Sequence, residues 1–366
     1  MPEIDYHLEL PHASYPIYII GAGSIVKDAH LPAYKIAGFE VAGITNRTRS
    51  TADKLAKEYG IPKVFDSVDE LIAGAPSKCV FDLTLPPQLF PEMLKKLPRR
   101  SCVLIQKPMG ETLEEARRIL DICRNRELTA AINLQLRFAP AVVVAMKMIR
   151  QGIIGELRDM EIRVNVYTPW DHFPFLKNVP RLEIMYHSIH HMDCIRYFLG
   201  NPKGIYAKTL TYPGLDLPEA RSSIIMDYGE EVRANIQTNH FHRFGLKNQE
   251  SYIKWEGTKG AIKAKLGLLM NYPDGVQDLF EYCLLDKAGD PGEWKEIKID
   301  ETWFPHAFIG SMGQMMSALN GDTDALKTSV EDSYHTMACA EACYISSNHG
   351  GIKPDELLEH YERTIF

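Results

Sequence analysis

The stretch that decides the fold is residues 17–26, which read IYIIGAGSIV. Four apolar residues, typical of a buried strand, run directly into Gly-x-Gly and then into a helical pattern. Gly21 permits a tight turn, and Gly23 lets a pyrophosphate approach the backbone at the positively polarised end of a helix. Val26 stands where a third glycine is common, and a bare Gly-x-Gly also occurs in turns without a ligand. Its position after the first strand nevertheless predicts a dinucleotide site that includes Gly21, Gly23, Ser24 and Ile25.

Short apolar runs alternate with helical segments through the rest of the first half, which is the pattern of a parallel sheet covered on both faces. A helix over residues 52–59 stops at a glycine. Two capping boxes mark further helix starts, Ser67 with Glu70 and Thr112 with Glu115. We predict a doubly wound Rossmann sheet with strands at residues 17–20, 41–45, 64–65, 80–84, 103–106 and 130–134.

The second half instead shows the alternation of a sheet with one polar face. Apolar and polar residues alternate over 160–166 and again over 232–238. Turn signals at residues 228–229 and 257–260 predict hairpins, and hence a mostly antiparallel sheet. The polar residues of the outer face are Glu161, Arg163, Asn165, Arg233, Asn235 and Gln237.

These patterns predict an α/β protein of two domains. Residues 1–136 form the dinucleotide-binding Rossmann domain, with an N-terminal extension over 1–15. Residues 137–366 form an α+β domain with a large, open, mostly antiparallel sheet, which we expect to bind the substrate. A helical run over residues 329–347 closes the chain, and we expect the C-terminal segment to pack back on the first domain.

The composition limits the partners of the protein. The 366 residues carry a formal net charge of −7 with scattered basic side chains, so we expect no nucleic-acid partner. No apolar run approaches the ~20 residues that span a bilayer, and the acidic start of the chain differs from a signal peptide. Seven irregularly spaced cysteines form no disulfide framework. We expect a cytoplasmic protein with reduced thiols and no membrane partner.

The residues after the second strand bear on the choice of dinucleotide. NAD sites usually place a carboxylate here, on the ribose 2′-hydroxyl, whereas this strand runs into Asn46, Arg47, Thr48 and Arg49. Two guanidinium groups could hold a 2′-phosphate by bidentate hydrogen bonds. In the alternative, Arg47 and Arg49 only coat an exposed helix start. We predict that NADP is preferred over NAD, with Asn46, Arg47 and Arg49 in the site.

Two further segments offer acid–base chemistry. Gln106-Lys107-Pro108 follows the fifth strand, at the sheet edge where α/β proteins bind ligands. Burial beside a cationic nicotinamide would lower the pKa of Lys107 and suit it to proton transfer. The other segment is YHSIHHMD at residues 186–193, where Tyr186 and His190 share one face of a helix. His187 and His191 have the i,i+4 spacing of two histidines that bind zinc from one helix, but no third ligand is evident. We therefore expect no metal.

Taken together, these segments resemble the glucose–fructose oxidoreductase/inositol dehydrogenase/rhizopine-catabolism (Gfo/Idh/MocA) family over most of the chain. The glycine loop ends in His30-Leu31-Pro32, as family loops often do. The motifs that resemble family motifs are Leu85-Pro86-Pro87, Gln106-Lys107-Pro108, Arg137-Phe138-Ala139-Pro140, the helix ending His190-His191-Met192-Asp193, and Ser329-Val330-Glu331-Asp332.

The resemblance implies Lys107 as a catalytic lysine and His190 as the catalytic histidine, with Tyr186 in support and Leu85, Pro86 and Gln106 against the cofactor. Three residues depart from the family pattern: Gln106 replaces a glutamate, Tyr186 an aspartate and Phe90 a common histidine. Asp193 is expected to pair structurally. Candidates for the substrate wall, where a sugar ring favours an aromatic face with polar neighbours, are Asn165, Trp170, Asp171, His172, His187 and His191.

The resemblance also implies reversible hydride transfer between a nicotinamide and a carbinol carbon of a sugar, cyclitol or related polyol. One alternative is a glycoside hydrolase or lyase that uses a retained dinucleotide as a transient oxidant. A second is a non-catalytic, dinucleotide-binding regulator, against which the presence of Lys107 and His190 argues. The family usually pairs through the open face of its sheet, so we expect a homodimer or a dimer of dimers.

Overall fold

A computed structural model describes residues 11–173, 176, 179–214 and 216–352 of the chain. Its first sheet is six-stranded and entirely parallel, in the order β3-β2-β1-β4-β5-β6. This order is that of a Rossmann fold and confirms the predicted doubly wound sheet. The strands are β1 Ile17–Ile20, β2 Val41–Thr45, β3 Val64–Phe65, β4 Val80–Leu83, β5 Cys102–Ile105 and β6 Thr129–Ile132.

Helices connect these strands and cover both faces of the sheet. Strands β1, β4 and β5 are buried at every residue, because side chains on both faces contact helices rather than water. Both predicted capping boxes are confirmed, since Ser67 and Thr112 accept hydrogen bonds of 3.1 Å from the N–H groups of Glu70 and Glu115. A π-helix over Val26–His30 precedes the first α-helix. The helices are α1 Leu31–Ala37, α2 Arg49–Tyr59, α3 Val68–Gly74, α4 Phe90–Lys96 and α5 Leu113–Asn125.

The second sheet has eight strands in the order β14-β13-β12-β11-β7-β10-β9-β8. Only β7 and β10 pair in parallel, so the sheet is mostly antiparallel, as predicted. The remaining elements are α6 Pro140–Arg150, β7 Leu157–Asn165, α7 Ile189–Leu199, β8 Gly204–Leu210, β9 Arg221–Asp227, β10 Arg233–Asn239, β11 Glu250–Gly257, β12 Gly260–Lys265, β13 Leu279–Leu284, β14 Lys295–Glu296, α8 His306–Leu319 and α9 Val330–His349.

The two faces of this sheet differ in the way that the alternation predicted. Met160, Ile162 and Ile236 are buried in one core cluster with Ile189 and Met192 of α7. The opposite face carries the polar set and is open. There, ion pairs join neighbouring strands, such as Arg163 with Glu250 of β11 at 2.6 Å.

The last two helices join the second sheet to the first. The N–H of Ile132 in β6 donates a 2.8 Å hydrogen bond to Thr328 O, just before α9. Phe308, Met312 and Met316 of α8 belong to the same apolar cluster as β1. The predicted extension over 1–15 and the C-terminal segment lie largely outside the described residues, and the boundary at 136/137 stays a prediction.

Three further features concern the part of the chain that the structure describes. Within the described ranges, no helix combines the length and apolarity that a bilayer crossing requires. All seven cysteines are buried and free. The part of the chain that the structure covers holds no group of three or more His, Cys, Asp or Glu side chains that could bind a metal ion.

Candidate active site

The loop after β1 leaves room for a ligand against its backbone. Gly21 has a φ of 116°, and a Cβ there would clash with the backbone oxygen of Thr84, so the turn requires glycine. A Cβ on Gly23 would meet no atom within 4 Å, so open space lies over this residue. Ser24 is exposed beside it, and Ile25 is half-buried. The loop therefore fits a dinucleotide pyrophosphate.

The end of β2 lies beside this loop. Asn46 Oδ1 accepts a hydrogen bond of 3.2 Å from the N–H of Ala22. Arg49 is exposed and already forms an ion pair with Asp66. Arg47 is also exposed, and it has no ion pair with any residue that the structure describes. Of the two predicted guanidinium groups, Arg47 is thus the one that is available to a ligand.

The turns after β4 and β5 complete this edge of the sheet. Leu85 is half-buried and Pro86 is exposed. Gln106 Oε1 accepts a 3.1 Å hydrogen bond from the N–H of Lys107, so this side chain closes its own turn. Phe90 is fully buried in the apolar core. The residue that stands where the family often has histidine is therefore a packing residue here.

Lys107 connects the first sheet to the histidine segment of the second half. Its Nζ donates a 2.7 Å hydrogen bond to the backbone carbonyl of Tyr186 and lies 5.6 Å from the centre of the Tyr186 ring. Burial lowers the pKa of Lys107 to about 8, because the ammonium group loses its hydration. Lys107 and His190 thus lie on the same side of the molecule.

The helix that carries the histidines differs from the prediction. Instead of one α-helix, Ile184–Ser188 form a π-helix that leads into α7. Hydrogen bonds in a π-helix run from i to i+5, and the shared face of Tyr186 and His190 stays a prediction. The Tyr186 hydroxyl donates to Glu111 Oε1 at 3.2 Å, and its backbone carbonyl is the atom that contacts Lys107.

His190 and His191 are both buried at the start of α7, with 5% and 2% of their surface exposed. Nδ1 of each ring is buried without a hydrogen-bond partner among the described residues. Burial, then electrostatic repulsion by Lys107 and by the neighbouring His191 ring when that ring is protonated, lowers the pKa of His190 well below its ordinary value. Burial also lowers the pKa of His191 to about 4. Both shifts favour the neutral form of the ring.

His187 belongs to an adjacent group of rings. Its ring centre lies 4.4 Å from that of His240 and 5.6 Å from that of Trp170. Glu183 lies close to His240, with Oε1 at 3.7 Å from His240 Nε2. The same oxygen accepts a 2.6 Å hydrogen bond from Ser188, and the other accepts one from a second serine. Despite complete burial, these hydrogen bonds and His240 lower the pKa of Glu183.

Four residues of this region were missed by the sequence analysis. Glu183, His240, Glu111 and Trp303 come from four distant segments, and the Trp303 ring meets His190 edge-on at 6.0 Å. Glu183 stands only three residues before Tyr186, and a fully buried glutamate has no distinguishing mark in one sequence. His240, two residues after the alternating run over 232–238, lies nearest to a pattern that is visible in the sequence.

The predicted substrate wall is only partly assembled. Trp170 and His187 contact each other, and His191 follows His190 on α7. Asp171 and His172 are exposed on the same 3-10 turn as Trp170, and the His172 ring lies 6.2 Å from that of Tyr272.

Asn165 is not placed with the histidines. It lies on the open face of the second sheet, where its side-chain amide donates to Asn248 O at 3.1 Å and contacts His242. The strand alternation requires this, because Val164 faces the core and side chains of adjacent strand residues point to opposite faces. The expectation of Asn165 in the substrate wall is therefore corrected.

Asp193 anchors α7, in agreement with the expected structural pairing. Both of its carboxylate oxygens accept 2.6 Å hydrogen bonds from the Arg137 guanidinium group, and Thr336 of α9 donates to it at 2.8 Å. Arg137 also donates to Asp332 at 2.5 Å. The position of His190 is thus fixed by a buried ion pair one turn further along the helix.

Comparisons with known proteins bear on both halves of the chain. The model of an oxidoreductase family with an NAD-binding Rossmann fold matches residues 16–134. The model of the GFO/IDH/MocA C-terminal domain matches residues 142–263.

Individual relatives are more distant. The trans-1,2-dihydrobenzene-1,2-diol dehydrogenase of Mus musculus is 29% identical over 142 residues, which cover 38% of this chain and 43% of that protein. The D-xylose 1-dehydrogenase (NADP(+)) 2 of Haloferax volcanii is 24% identical over 250 residues, covering 67% and 74%. The chain spans about half the length of several curated relatives that it matches.

Solved structures share the fold. An oxidoreductase from Agrobacterium radiobacter, crystallised with NAD+, L-tartaric acid and magnesium, has a TM-score of 0.74 at 18% identity, covering 93% of this chain and 98% of that one. Since both domain models match in the expected order, the resemblance noted in the sequence is confirmed. The chain belongs to the Gfo/Idh/MocA family of oxidoreductases, whose first domain is an NAD-binding Rossmann fold.

Proposed function

We propose that the protein is a dehydrogenase or reductase that acts on a carbinol carbon of a sugar, cyclitol or related polyol. The observation that carries the proposal is the hydrogen bond from Lys107 Nζ to Tyr186 O, which joins the dinucleotide-binding half to the segment that carries His190. The names of relatives that act on xylose and on a dihydrodiol support a CH–OH substrate.

Removal of hydride from a carbinol carbon requires that the hydroxyl proton be taken at the same time. A bound nicotinamide dinucleotide supplies the hydride acceptor, or the donor in reduction. Because the pKa of Lys107 is lowered to about 8, its amine form is accessible near neutral pH and accepts the hydroxyl proton. The lowered pKa of His190 makes this ring a weaker base, so we assign it the orientation of the hydroxyl by a hydrogen bond.

The test is a dehydrogenase assay on a panel of sugars, inositols and keto-sugars with each cofactor. The expected result is a change in reduced-nicotinamide absorbance that is proportional to product. Product without any net absorbance change would favour the hydrolase or lyase alternative. Dinucleotide binding without turnover of any member of the panel would favour the regulator.

We propose NADP as the preferred dinucleotide, held at its 2′-phosphate by Arg47. The exposed guanidinium of Arg47, which has no ion pair with any described residue, and the lack of a carboxylate at Asn46 support this preference. We also propose a homodimer, or a dimer of dimers, formed through the open face of the second sheet. The buried, free cysteines support a reducing compartment such as the cytoplasm.

A further inference from the structure

Glu183 places a fully buried carboxylate close to the aromatic rings of the site. Ser188 donates to its Oε1 at 2.6 Å, and Ser222 donates to its Oε2. Burial alone would raise the pKa of this carboxyl, but His240 and the two hydroxyl groups hold it below its ordinary value. Among the described residues, the basic side chain within ion-pair distance of this carboxylate is His240.

The His240 ring lies between this carboxylate and Thr168. Its Nδ1 is 3.1 Å from Thr168 Oγ1, and its Nε2 is 3.7 Å from Glu183 Oε1, an electrostatic contact that is longer than a hydrogen bond. A carboxylate can only accept hydrogen bonds, whereas a hydroxyl group can also donate. The arrangement is satisfied when Nε2 carries the ring hydrogen and Nδ1 accepts from Thr168. Glu183 thus selects one tautomer and one orientation of the His240 ring.

Two of the predicted substrate-wall residues pack against this ring. The His187 ring centre lies 4.4 Å from that of His240, and the Trp170 ring centre lies 5.9 Å from it. His187 is half-buried, whereas His240 and Trp170 are buried, so His187 is the ring of the three that a ligand reaches most readily. It directly follows Tyr186, whose carbonyl accepts from Lys107. Because interiors are closely packed, a rotation of His240 would displace both neighbouring rings.

We propose that Glu183 is a positioning residue, which acts through His240 to hold the His187 and Trp170 rings in the orientation that binds the substrate. The inference rests on the proposed function and adds a determinant of substrate affinity to it. Proton transfer stays with Lys107, so a change at Glu183 should alter substrate binding more than the chemical step.

The first experiment measures steady-state kinetics of Glu183→Gln with NADP and each panel compound that the unmodified protein turns over, beginning with D-xylose. Glutamine keeps the shape and can still accept from Ser188, but its amide also donates, so it does not select one tautomer of His240. KM should rise at least about fivefold while kcat changes less than about twofold, because the lost interaction affects the bound substrate and the transition state alike.

Glu219→Gln is the matched control. Glu219 is also buried and holds the same segment, since its Oε1 accepts from the Leu182 N–H at 3.0 Å and from the Tyr344 hydroxyl at 2.6 Å. A glutamine oxygen accepts both hydrogen bonds, and these contacts do not involve the rings. KM should therefore stay unchanged in this variant.

A double-mutant cycle tests whether Glu183 acts through His240. His240→Gln should raise KM as Glu183→Gln does. The double variant should raise KM no further than the more severe single variant, because both substitutions remove the same interaction. Independent, multiplicative increases in KM would overturn the inference.

The ring tautomer is measured without turnover, from the ring ¹⁵N resonances of protein labelled at histidine. His240, assigned by the signals that His240→Gln lacks, should carry its hydrogen on Nε2 and lose this preference in Glu183→Gln. A hydrogen on Nδ1 in the unmodified protein overturns the inference. So do equal losses of kcat and thermal stability in Glu183→Gln and Glu219→Gln, which indicate a general structural role.

The kinetic outcomes also separate this inference from the proposed function. An unchanged KM in Glu183→Gln, in a protein that turns over sugars or polyols, overturns the inference alone. A protein that turns over no compound of the panel contradicts the proposed function, and the role of Glu183 in substrate binding falls with it.

Discussion

At the scale of single residues, the protonation state of Lys107 should determine how the rates of oxidation and of reduction depend on pH. Its burial lowers the pKa of the side chain to about 8, and the ammonium form must lose a proton before it can accept one. In alcohol oxidation, kcat/KM should therefore rise about tenfold per pH unit below this pKa and level off above about pH 8. In reduction, where the ammonium donates, the rate should fall above about pH 8. Initial rates in both directions across pH 6–10 check this, and a profile that is flat in both directions contradicts it.

Substitution of the two proposed active-site residues separates catalysis from folding. Lys107→Met and His190→Ala should each lower turnover by about 10²–10⁴-fold and leave dinucleotide affinity nearly unchanged. Lys107→Met should also abolish the pH dependence. His191→Ala should lower turnover less, since adjacent residues of a helix point about 100° apart. Equal losses in all three variants, together with lower thermal stability, would indicate a structural role instead.

The cofactor preference also depends on individual side chains. Asn46→Asp keeps the acceptor for the Ala22 N–H and adds a negative charge that repels a 2′-phosphate, so it should reverse the preference from NADP to NAD. Arg47→Ala should weaken NADP binding at least about tenfold, whereas Arg49→Ala should change it little because Arg49 pairs with Asp66. Calorimetric titration with both dinucleotides measures this. Equal or tighter binding of NAD by the unmodified protein would refute the proposal.

At the scale of elements, the sequence predicts the regular parts well. Strands β1, β2 and β3 agree with the prediction to the residue. Strand β4 differs by one residue at its end, and β5 and β6 differ by one or two residues at each end. Local signals suffice there, because a buried strand requires apolar side chains whatever surrounds it. The π-helix at Ile184–Ser188 is different, since a run such as IMYHS fits an α-helix equally well. Within this π-helix, the carbonyl of Tyr186 accepts the hydrogen bond from Lys107 of a distant segment.

The anchoring of α7 gives a prediction about stability. Asp193 is fully buried and bonded bidentately to Arg137, so the neutral Asp193→Asn leaves a buried guanidinium partly unpaired. The free energy of unfolding should fall by about 3–5 kcal/mol. Asp121→Asn is the control, because its ion pair with Arg117 at 2.9 Å is exposed on α5 and should contribute at most about 1 kcal/mol. Urea unfolding of both variants decides this, and losses of equal size would show that the buried pair has no special role.

At the scale of the whole molecule, the active site is a product of tertiary contacts. Lys107 follows β5, His190 lies on α7, His240 follows β10 and Trp303 precedes α8. The sequence indicates Lys107 and His190, because each lies in a motif that follows or forms a predicted strand or helix of the site. It could not find Trp303 or the Glu183–His240 contact, since nothing local in the chain shows which residues face each other across the two sheets. The misplacement of Asn165 has the same origin.

We expect the open face of the second sheet to form the interface between two copies of the chain. Most of that face is polar, but at one end Tyr206 of β8 and Ile225 of β9 lie opposite each other and are 63% and 51% exposed. Aromatic and large apolar side chains are enriched in the centre of protein interfaces, while charged ones are depleted there. This pair therefore marks the part of the sheet that a second copy of the chain should cover.

Light scattering at micromolar concentration should thus give a particle of at least twice the 41.5 kDa chain mass. Ile225→Arg should shift the particle towards 41.5 kDa, because two copies would bury unpaired guanidinium groups at the interface. Ile36→Arg is the matched control: Ile36 is 56% exposed but lies on α1 of the first domain, so this variant should remain a dimer. An unmodified protein that scatters as a 41.5 kDa particle would refute the dimer. A dimer that survives Ile225→Arg and dissociates in Ile36→Arg would move the interface from the open sheet to the Rossmann domain.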